Sequence, residues 1–406
     1  MNVDWLAGEW LRMRRRMLAC IAEGRSDMSA TPLALDARVY TDPARLALER
    51  SVLFRRTPLL AGLSCQLREP GSVLLFEEAG EPVFLHRRAD GAIGAFLNRC
   101  PHRGARLVGD TRSRDAFVCP FHAWRFDATG RLLARPLDEA FACEGARPAA
   151  LTALPVAEKH GLIFLRLDPA GGPIDIDAFL GPIATLIAAF ELAASGHAGQ
   201  DSLPAAANWK LVVDVSCEGY HVPATHPQTL SPQLVPFLTI HDSYGLHHRF
   251  ASPSRHLAAL AGRPEAEWPA GGYSAVHYLF PNAVLTVSDA IDGSLPVIAL
   301  NRSFPGENPG EARVVYDSYR PADAPAGDYA ALHAMILGIN RSEDLPMVEG
   351  VWRNYARAAS PAPIVFGRNE QTLQRYHAAV AELIGMPLAG PAAITVSGED
   401  EAGTRT

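Results

Sequence analysis

Four residues able to bind soft or borderline metals stand in two short loops, "CPH" at 100–102 and "CPFH" at 119–122. Each loop offers one thiolate and one imidazole: Cys100 and His102, then Cys119 and His122. Zinc accepts two Cys and two His in any order. A [2Fe–2S] cluster accepts the same four, with two Cys on one iron and two His on the other. One Cys and one His from each loop would clamp a two-iron rhomb from both sides. Pro101 and Pro120 stiffen the loops, and Gly104 allows the close backbone approach that N–H bonds to cluster sulfur require.

A second group lies about a hundred residues further on. "NWKLVVDVSCEGYHVPATHP" (208–227) begins as a helix, and in helical phase Asp214, Glu218 and His221 share one face. Val212, Val215, Gly219 and Val222 form an adjacent apolar face. A stripe of two acids and an imidazole beside apolar surface needs hydrogen bonds or a metal if it is buried. His221 and His226 are five apart, about 140° around an ideal helix. Binding one metal together therefore requires irregular backbone, which Pro223 can supply. Taken alone, the segment leaves two readings open. Either both His are metal ligands, or His221 satisfies Glu218 while His226 sits in a surface turn.

Cys-x-His, sixteen intervening residues and Cys-x-x-His inside a β-rich segment resemble the Rieske cluster motif. With "NWK…EGYHVPATH" behind it, the tandem resembles the core of the Rieske non-haem iron oxygenases. The resemblance implies a [2Fe–2S] cluster on Cys100, His102, Cys119 and His122. It also implies a mononuclear Fe(II) on His221, His226 and one carboxylate, with O2 as co-substrate. Glu218 occupies the place of the family's bridging acid, which joins an iron-ligating His to a cluster-ligating His of a neighbouring subunit. Glu is the variant there in a subset that includes the quaternary-ammonium oxygenases. The third ligand, an Asp near the start of a C-terminal helix, falls on Asp344 in "RSEDLPMVEGVWRN", with Glu343 and Glu370 as rivals. Asp344 also reads as a first-turn acid after Ser342 as N-cap. Asp214 and Asn208 are candidates to support the iron ligands from behind. By resemblance, "HYLFPNAVLTVSD" lines the pocket, with Phe280 and Asn282 as substrate contacts. In the alternative reading, alternate residues of that run simply face the sheet core. Ala105 and Phe121 stand where respiratory-type Rieske proteins carry a disulfide pair, which is similar to the oxygenase and ferredoxin branch.

The implied activity is that of a terminal oxygenase that hydroxylates, dihydroxylates or demethylates a small aromatic or alicyclic substrate. A quaternary-ammonium monooxygenase acting on a carnitine- or betaine-like substrate is the alternative. A Rieske electron-transfer protein without catalysis is an alternative of another class. The chain has neither G-x-G-x-x-G nor a plant-type ferredoxin Cys run. Electrons from NAD(P)H must then arrive through a separate reductase, with or without a ferredoxin. The resemblance further implies a head-to-tail homotrimer, or a multiple of it, which sets cluster and iron of adjacent subunits together.

These residues need elements to position them. The 406 residues are 48% hydrophobic and 20% charged, with a formal charge of −7, which suits a globular chain of two or three domains. No basic stripe stands out beyond "RMRRRM" at 12–17, so nucleic acid is not an expected partner. No apolar run reaches membrane-spanning length. "MLACIA" is too short for a signal-peptide core, and six cysteines in this length make no disulfide framework, so a cytoplasmic setting is expected. Residues 1–57 are expected to form a helical segment packing on the catalytic domain, with Trp5, Trp10, Met13, Met17 and Ile21 as the apolar stripe. Short strands and Gly turns predict a small all-β domain over 58–168, by resemblance the Rieske [2Fe–2S] domain, and "DPAGGP" reads as a linker. In 169–390, helical spacing at 176–194, strand-like runs, and helices at about 326–358 and 369–385 predict an α+β catalytic domain. By resemblance this is an antiparallel sheet flanked by helices, a helix-grip or START-like fold. Residues 391–406 are expected to be disordered.

Overall fold

The computed structural model describes residues 3–141, 149–269, 271–289, 295–359 and 362–388. Cys143 and the tail 391–406 lie outside them. From Leu59 to Leu165, nine short strands form three antiparallel sheets of three among the described residues. One sheet pairs Leu162–Leu165 with both Leu59–Leu63 and Val156–Lys159. Another runs Val73–Phe76, Val83–Arg87, Ile93–Leu97. The third runs Ala116–Val118, Arg125–Asp127, Leu132–Ala134. The "DATG" turn forms as its chemistry predicts. Asp127 Oδ1 accepts from the amides of Thr129 (2.8 Å) and Arg131 (3.0 Å), and Gly130 takes φ +82°. A small separate core gathers Val73, Phe84, Phe96, Phe117 and Phe126 around Cys100 and Cys119.

The continuous helix expected over 176–194 is instead broken into Ile176–Leu180, a 3-10 turn at Gly181–Ile183 and Ala184–Ala189. Gly181 sits at φ +57°, and Pro182 has no N–H to continue the ladder. The chain then builds one seven-stranded antiparallel sheet. Its order is Gly196–Ala205, Ala312–Arg320, Val297–Pro305, Ala283–Ser288, Ser274–Leu279, His247–Ala251, Ile240–Tyr244. Helix Tyr329–Ile339 lies against its first two strands, and Gln371–Ile384 against its last two. The fold is thus α+β, a β-rich unit followed by an antiparallel sheet with helices on it.

The N-terminal helix, Val3–Glu23, buries Trp10, Met13, Met17 and Cys20, a stripe at helical spacing. Trp5, expected in that stripe, is 39% exposed. The helix is tied to the sheet by charge. Arg249, fully buried, donates to Glu9 (2.5 Å) and to Asp242 (2.6 Å), and Arg16 donates to Asp242 as well (2.6 Å). The two large units are joined by Arg302, which donates to Ala61 O and to Asp317 Oδ2 (2.6 Å). Gln66 donates to the other Asp317 oxygen (3.3 Å).

A second buried ion pair seats the "NWK" segment. Glu49 is 0% exposed and its Oε2 accepts from Lys210 Nζ (2.6 Å) and Trp209 Nε1 (2.8 Å). Burial pulls the Lys210 ammonium below the ordinary lysine range, with Glu49 opposing. Arg45 Nε lies 3.3 Å from the other Glu49 oxygen, so Lys210→Met leaves the buried carboxylate one cation short, and stability should fall by about 1–3 kcal/mol, read as a lower urea midpoint. Adding Glu49→Gln to that variant should recover only part of the loss, because buried Arg45 then loses its carboxylate. A double variant no better than the single one would mean that packing, not charge, governs this contact.

Candidate metal centres

Cys100 and Cys119 are each 2% exposed, while His102 and His122 lie at the outer end of the same pair of loops. The loops meet because Gly104 at φ +78° returns its N–H to Cys100 O (2.8 Å), and Ala123 N–H reaches Cys119 O (3.0 Å). The imidazoles face each other with ring centroids 4.6 Å apart. Trp124 stacks on His102 at 4.8 Å and 3°, a support that its adjacency to "CPFH" could have suggested. Burial, with His122 and Arg103 adding, lowers the basicity of His102, and burial raises the Cys100 thiol. Nδ1 of both His102 and His122 is buried with no hydrogen-bond partner. Two inward thiols and two unpartnered Nδ1 atoms could supply the donors that a [2Fe–2S] cluster takes from two Cys and two His.

Helix Trp209–Ser216 starts at Asn208, whose side chain accepts from Lys210 N (3.1 Å). It ends early, with Ser216 Oγ bonded back to Val212 O (3.0 Å). Glu218 and His221 therefore lie beyond the helix, and the expected shared face with Asp214 does not form. Gly219 lets the chain pass close there, since a Cβ would meet Ser252 Oγ at 3.0 Å and Thr239 Cγ2 at 3.3 Å and these side chains would have to shift. Pro223 opens the short helix Val222–Thr225, and the irregular backbone turns His226 toward His221.

His221 Nε2 and His226 Nε2 are 3.2 Å apart, and Asp344 Oδ1 lies 3.6 Å and 3.0 Å from them. All three ligand atoms fall within 4.8 Å of one another. Ligands at about 2.0–2.2 Å from one metal, set at roughly right angles, lie about 3 Å apart. The tautomers agree. Glu218 Oε1 takes the Nδ1 proton of His221, and Glu343 Oε2 takes that of His226 (2.6 Å). Both Nε2 atoms are then bare lone pairs pointing at each other and at Asp344 Oδ1, itself buried without a hydrogen bond. These three atoms could hold one divalent cation, as the two-His, one-carboxylate set of non-haem iron does.

Asp344 is not a first-turn acid. Helices Tyr329–Ile339 and Leu345–Arg357 run on through a π-turn, Asn340–Asp344, and Ser342 Oγ bonds back to Gly338 O (2.8 Å) instead of capping. Pro346 cannot donate to the preceding turn, and the widened turn carries Asp344 to the site. Glu343 has a role that sequence reasoning missed. It is a positioning residue, held by Thr229 Oγ1 (2.8 Å) as well as by His226. Adjacency to Asp344 was its one signal. Glu343→Ala, which removes the acceptor behind His226, should weaken iron binding roughly 10–100-fold, measured by competition with a chelator. An unchanged affinity would reduce Glu343 to a surface acid.

Glu370 lies elsewhere. Its Oε2 accepts from Gly367 N (2.5 Å), and burial, with Glu218 and Asp214 adding, pushes its carboxyl up to about 7. Asp214 and Asn208 also differ from expectation. Asp214 accepts from Tyr40 OH and pairs with His377 Nε2 (2.9 Å), while Asn208 Nδ2 donates to Tyr40 O (2.8 Å). Both anchor the helix to the N-terminal segment and touch none of the three ligand residues, because the helix stops before the ligands begin.

A cavity of about 270 Å³ opens onto His221, His226 and Asp344. Val215, Val222, Leu230, Phe250, Val276 and Val284 supply much of its apolar wall. Phe280 and Asn282 do not line it. They form the turn between strands Ser274–Leu279 and Ala283–Ser288, where Phe280 is 1% exposed and Asn282 Nδ2 donates to Ser303 O (2.9 Å). The same hairpin does reach the cavity, through Val276, Val284 and Thr286. Period-two alternation along its strands marks these positions once the turn is placed.

A β-rich unit with a Cys2His2 donor set, joined to an antiparallel sheet bearing a His-His-carboxylate set, defines the class of two-centre iron proteins. Comparison with known families agrees. The Rieske [2Fe–2S] domain matches residues 57–146, and the ring hydroxylating alpha subunit (catalytic domain) matches 192–386. The chain belongs to the family of Rieske oxygenase alpha subunits. It is 28% identical over 323 residues to the carnitine monooxygenase oxygenase subunit of Escherichia coli (strain K12), covering 78% of this chain and 83% of that one. It is 33% identical over 197 residues to the glycine betaine monooxygenase oxygenase subunit of Chromohalobacter salexigens, covering 47% and 43%. It is 31% identical over 224 residues to the benzene 1,2-dioxygenase subunit alpha of Pseudomonas putida, covering 53% and 48%. The match thus spans about half the length of the last two. In fold, the chain is similar to a quaternary ammonium Rieske monooxygenase in complex with L-carnitine (TM-score 0.73, 21% identity, 88% and 96% covered). It is also similar to naphthalene 1,2-dioxygenase from Rhodococcus sp. (TM-score 0.65, 18% identity, 93% and 99% covered).

Proposed function

We propose that the protein is a terminal oxygenase component that incorporates dioxygen into a small, neutral aromatic or alicyclic substrate. The observation that carries this reading is the apolar cavity closed at one end by the ligand atoms of His221, His226 and Asp344. Bound there, Fe(II) offers open positions for dioxygen, and the Cys100, His102, Cys119, His122 cluster supplies single electrons. The protein's own part is positional. Glu218 and Glu343 hold the two imidazoles through Nδ1, and Leu230, Leu234, Ile336 and Ile339 add to the apolar lining of the cavity.

Glu218 serves as the bridge to a cluster-ligating His of a neighbouring subunit in a head-to-tail trimer. Two exposed apolar surfaces support this. Tyr220 (57% exposed) and Phe237 (56%) meet beside Glu218, and Phe121 (55%) and Leu137 (70%) stand beside the cluster loops. A separate reductase, with or without a ferredoxin, feeds the cluster from NAD(P)H. A cytoplasmic setting is part of this reading, and no helix among the described residues is long and apolar enough to cross a membrane.

A quaternary-ammonium substrate is the second reading, favoured by Glu218 and the similarity to the carnitine enzyme. Such a cation calls for an aromatic cage, and among the described residues Phe250 is the one ring other than the two His on the cavity wall. The test is oxygen uptake and product analysis with a generic reductase and a panel of neutral rings, carnitine and glycine betaine. Product from the rings supports the first reading and product from the cations the second. No uptake with any, together with about two irons per chain, would leave an electron carrier.

A further inference from the structure

The wall of the cavity is built from one face of the sheet. Register places Phe250, Val276, Thr286 and Ala299 side by side across four strands, and Tyr278, Val284, Asn301 and Tyr316 in the neighbouring row. Thr286 and Asn301 are diagonal neighbours on this face, and both line the cavity. Most other polar groups on the wall are already engaged. Ser216 bonds to Val212 O (3.0 Å), Ser274 accepts from Ser288 (3.2 Å), and Asn340 donates to Ile336 O (2.9 Å). The side chains of Asn301 and Thr286 have no hydrogen-bond partner among the described residues, and both are only partly buried, opening into the space. Ser252 is similarly free, but it lies against Gly219 on the other side.

An amide and a hydroxyl left free side by side, with Val276, Val284 and Ala299 around them on this face, form a seat for one polar substituent. Asn offers both a donor and an acceptor, and Thr does the same. Among the described residues no Lys or Arg lines the cavity. Its carboxylates are Glu218 and Asp344, one bonded to His221 and the other set among the ligand atoms. A charged substituent finds no partner at the sheet. At about 270 Å³ the space lies near the lower end of the usual ligand pocket, about 300–1,000 Å³, which suits a single ring.

Resting on the oxygenase reading above, we propose that the substrate is a neutral monocyclic compound bearing one carbonyl or hydroxyl group, anchored by Asn301 and Thr286. These two are specificity residues; the reaction itself runs at the other end of the cavity. Isosteric pairs test this in the intact, iron-loaded protein: acetophenone against α-methylstyrene, and cyclohexanone against methylenecyclohexane, with dissociation constants from titration calorimetry. The oxygen-bearing member of each pair should bind roughly tenfold tighter. Asn301→Leu should bring the ratio close to one while leaving iron content and cluster absorbance unchanged, and Thr286→Val should lower it part of the way. A wild-type ratio of one or below, or a ratio that survives Asn301→Leu, overturns the proposal. Should Asn301→Leu fail to fold, the wild-type ratios and Thr286→Val decide. Product analysis on the same ligands keeps the two claims apart. Oxygenated product with no preference sinks the anchor but not the oxygenase. A preference without turnover keeps the anchor and removes the oxygenase reading.

Discussion

Asp344→Ala should lower the iron content from about three atoms per chain to about two, with the visible absorbance of the cluster intact and oxygen uptake abolished. The reason lies in the charge of the site. His221 and His226 present neutral Nε2 atoms, so the Asp344 carboxylate is the one anionic donor among the three ligand atoms. Two imidazoles by themselves hold a divalent ion weakly. The nearby acids cannot replace it. Glu343 is occupied by His226 Nδ1 and Thr229, and Glu370 by Gly367 N. Metal analysis of the purified variant beside wild type decides the matter. Retention of the third iron would move the ligand role to another carboxylate.

Glu218→Gln should leave all the iron in place and slow oxygen uptake by roughly 100-fold, the upper range for removing a partner behind a metal-ligating His. The amide oxygen of Gln can still accept from His221 Nδ1, so the imidazole stays oriented. The variant loses the negative charge that an imidazole on an adjacent subunit would meet; the second oxygen of Glu218 already accepts from the amides of Tyr220 and His221. A mixed assembly sharpens the test. Chains carrying Glu218→Gln retain a working cluster, and chains carrying Cys119→Ser retain a working iron site. If electrons cross between subunits, co-assembling the two inactive variants should restore part of the activity. If mixing restores nothing, the transfer path lies within one chain. If Glu218→Gln loses iron, Glu218 acts by holding His221.

The candidate metal residues were legible because metal chemistry constrains residue type and local spacing together. Cys100, His102, Cys119 and His122 form two tight loops whose members are three or fewer positions apart, so the sequence itself brings each pair together. His221 and His226 were legible for the same reason, with Pro223 between them as the sign of an irregular turn. The strands of the β-rich unit and the C-terminal helices were also readable, since Gly turns and helical periodicity are local signals. Helical phase beyond Ser216 was not. The helix stops where Ser216 bonds back to Val212 O and where Gly219 must pass close to Ser252, and the contact with Ser252 exists only after the sheet has formed.

What the sequence by itself determined was the donor sets, the order of the two units and the family they resemble. Only the tertiary structure showed which of the three candidate acids lies beside His221 and His226, and it brings Asp344 there through a π-turn that a 3.6-residue period does not anticipate. It assigned Glu343 to His226, withdrew Asp214 and Asn208 to the N-terminal segment, and moved the cavity wall from Phe280 and Asn282 to Val276, Val284, Thr286 and Asn301. The physical reason is the same in each case. A ligand pair within one loop is set by chain geometry. A contact across more than a hundred residues depends on strand register and helix packing, which no local pattern encodes.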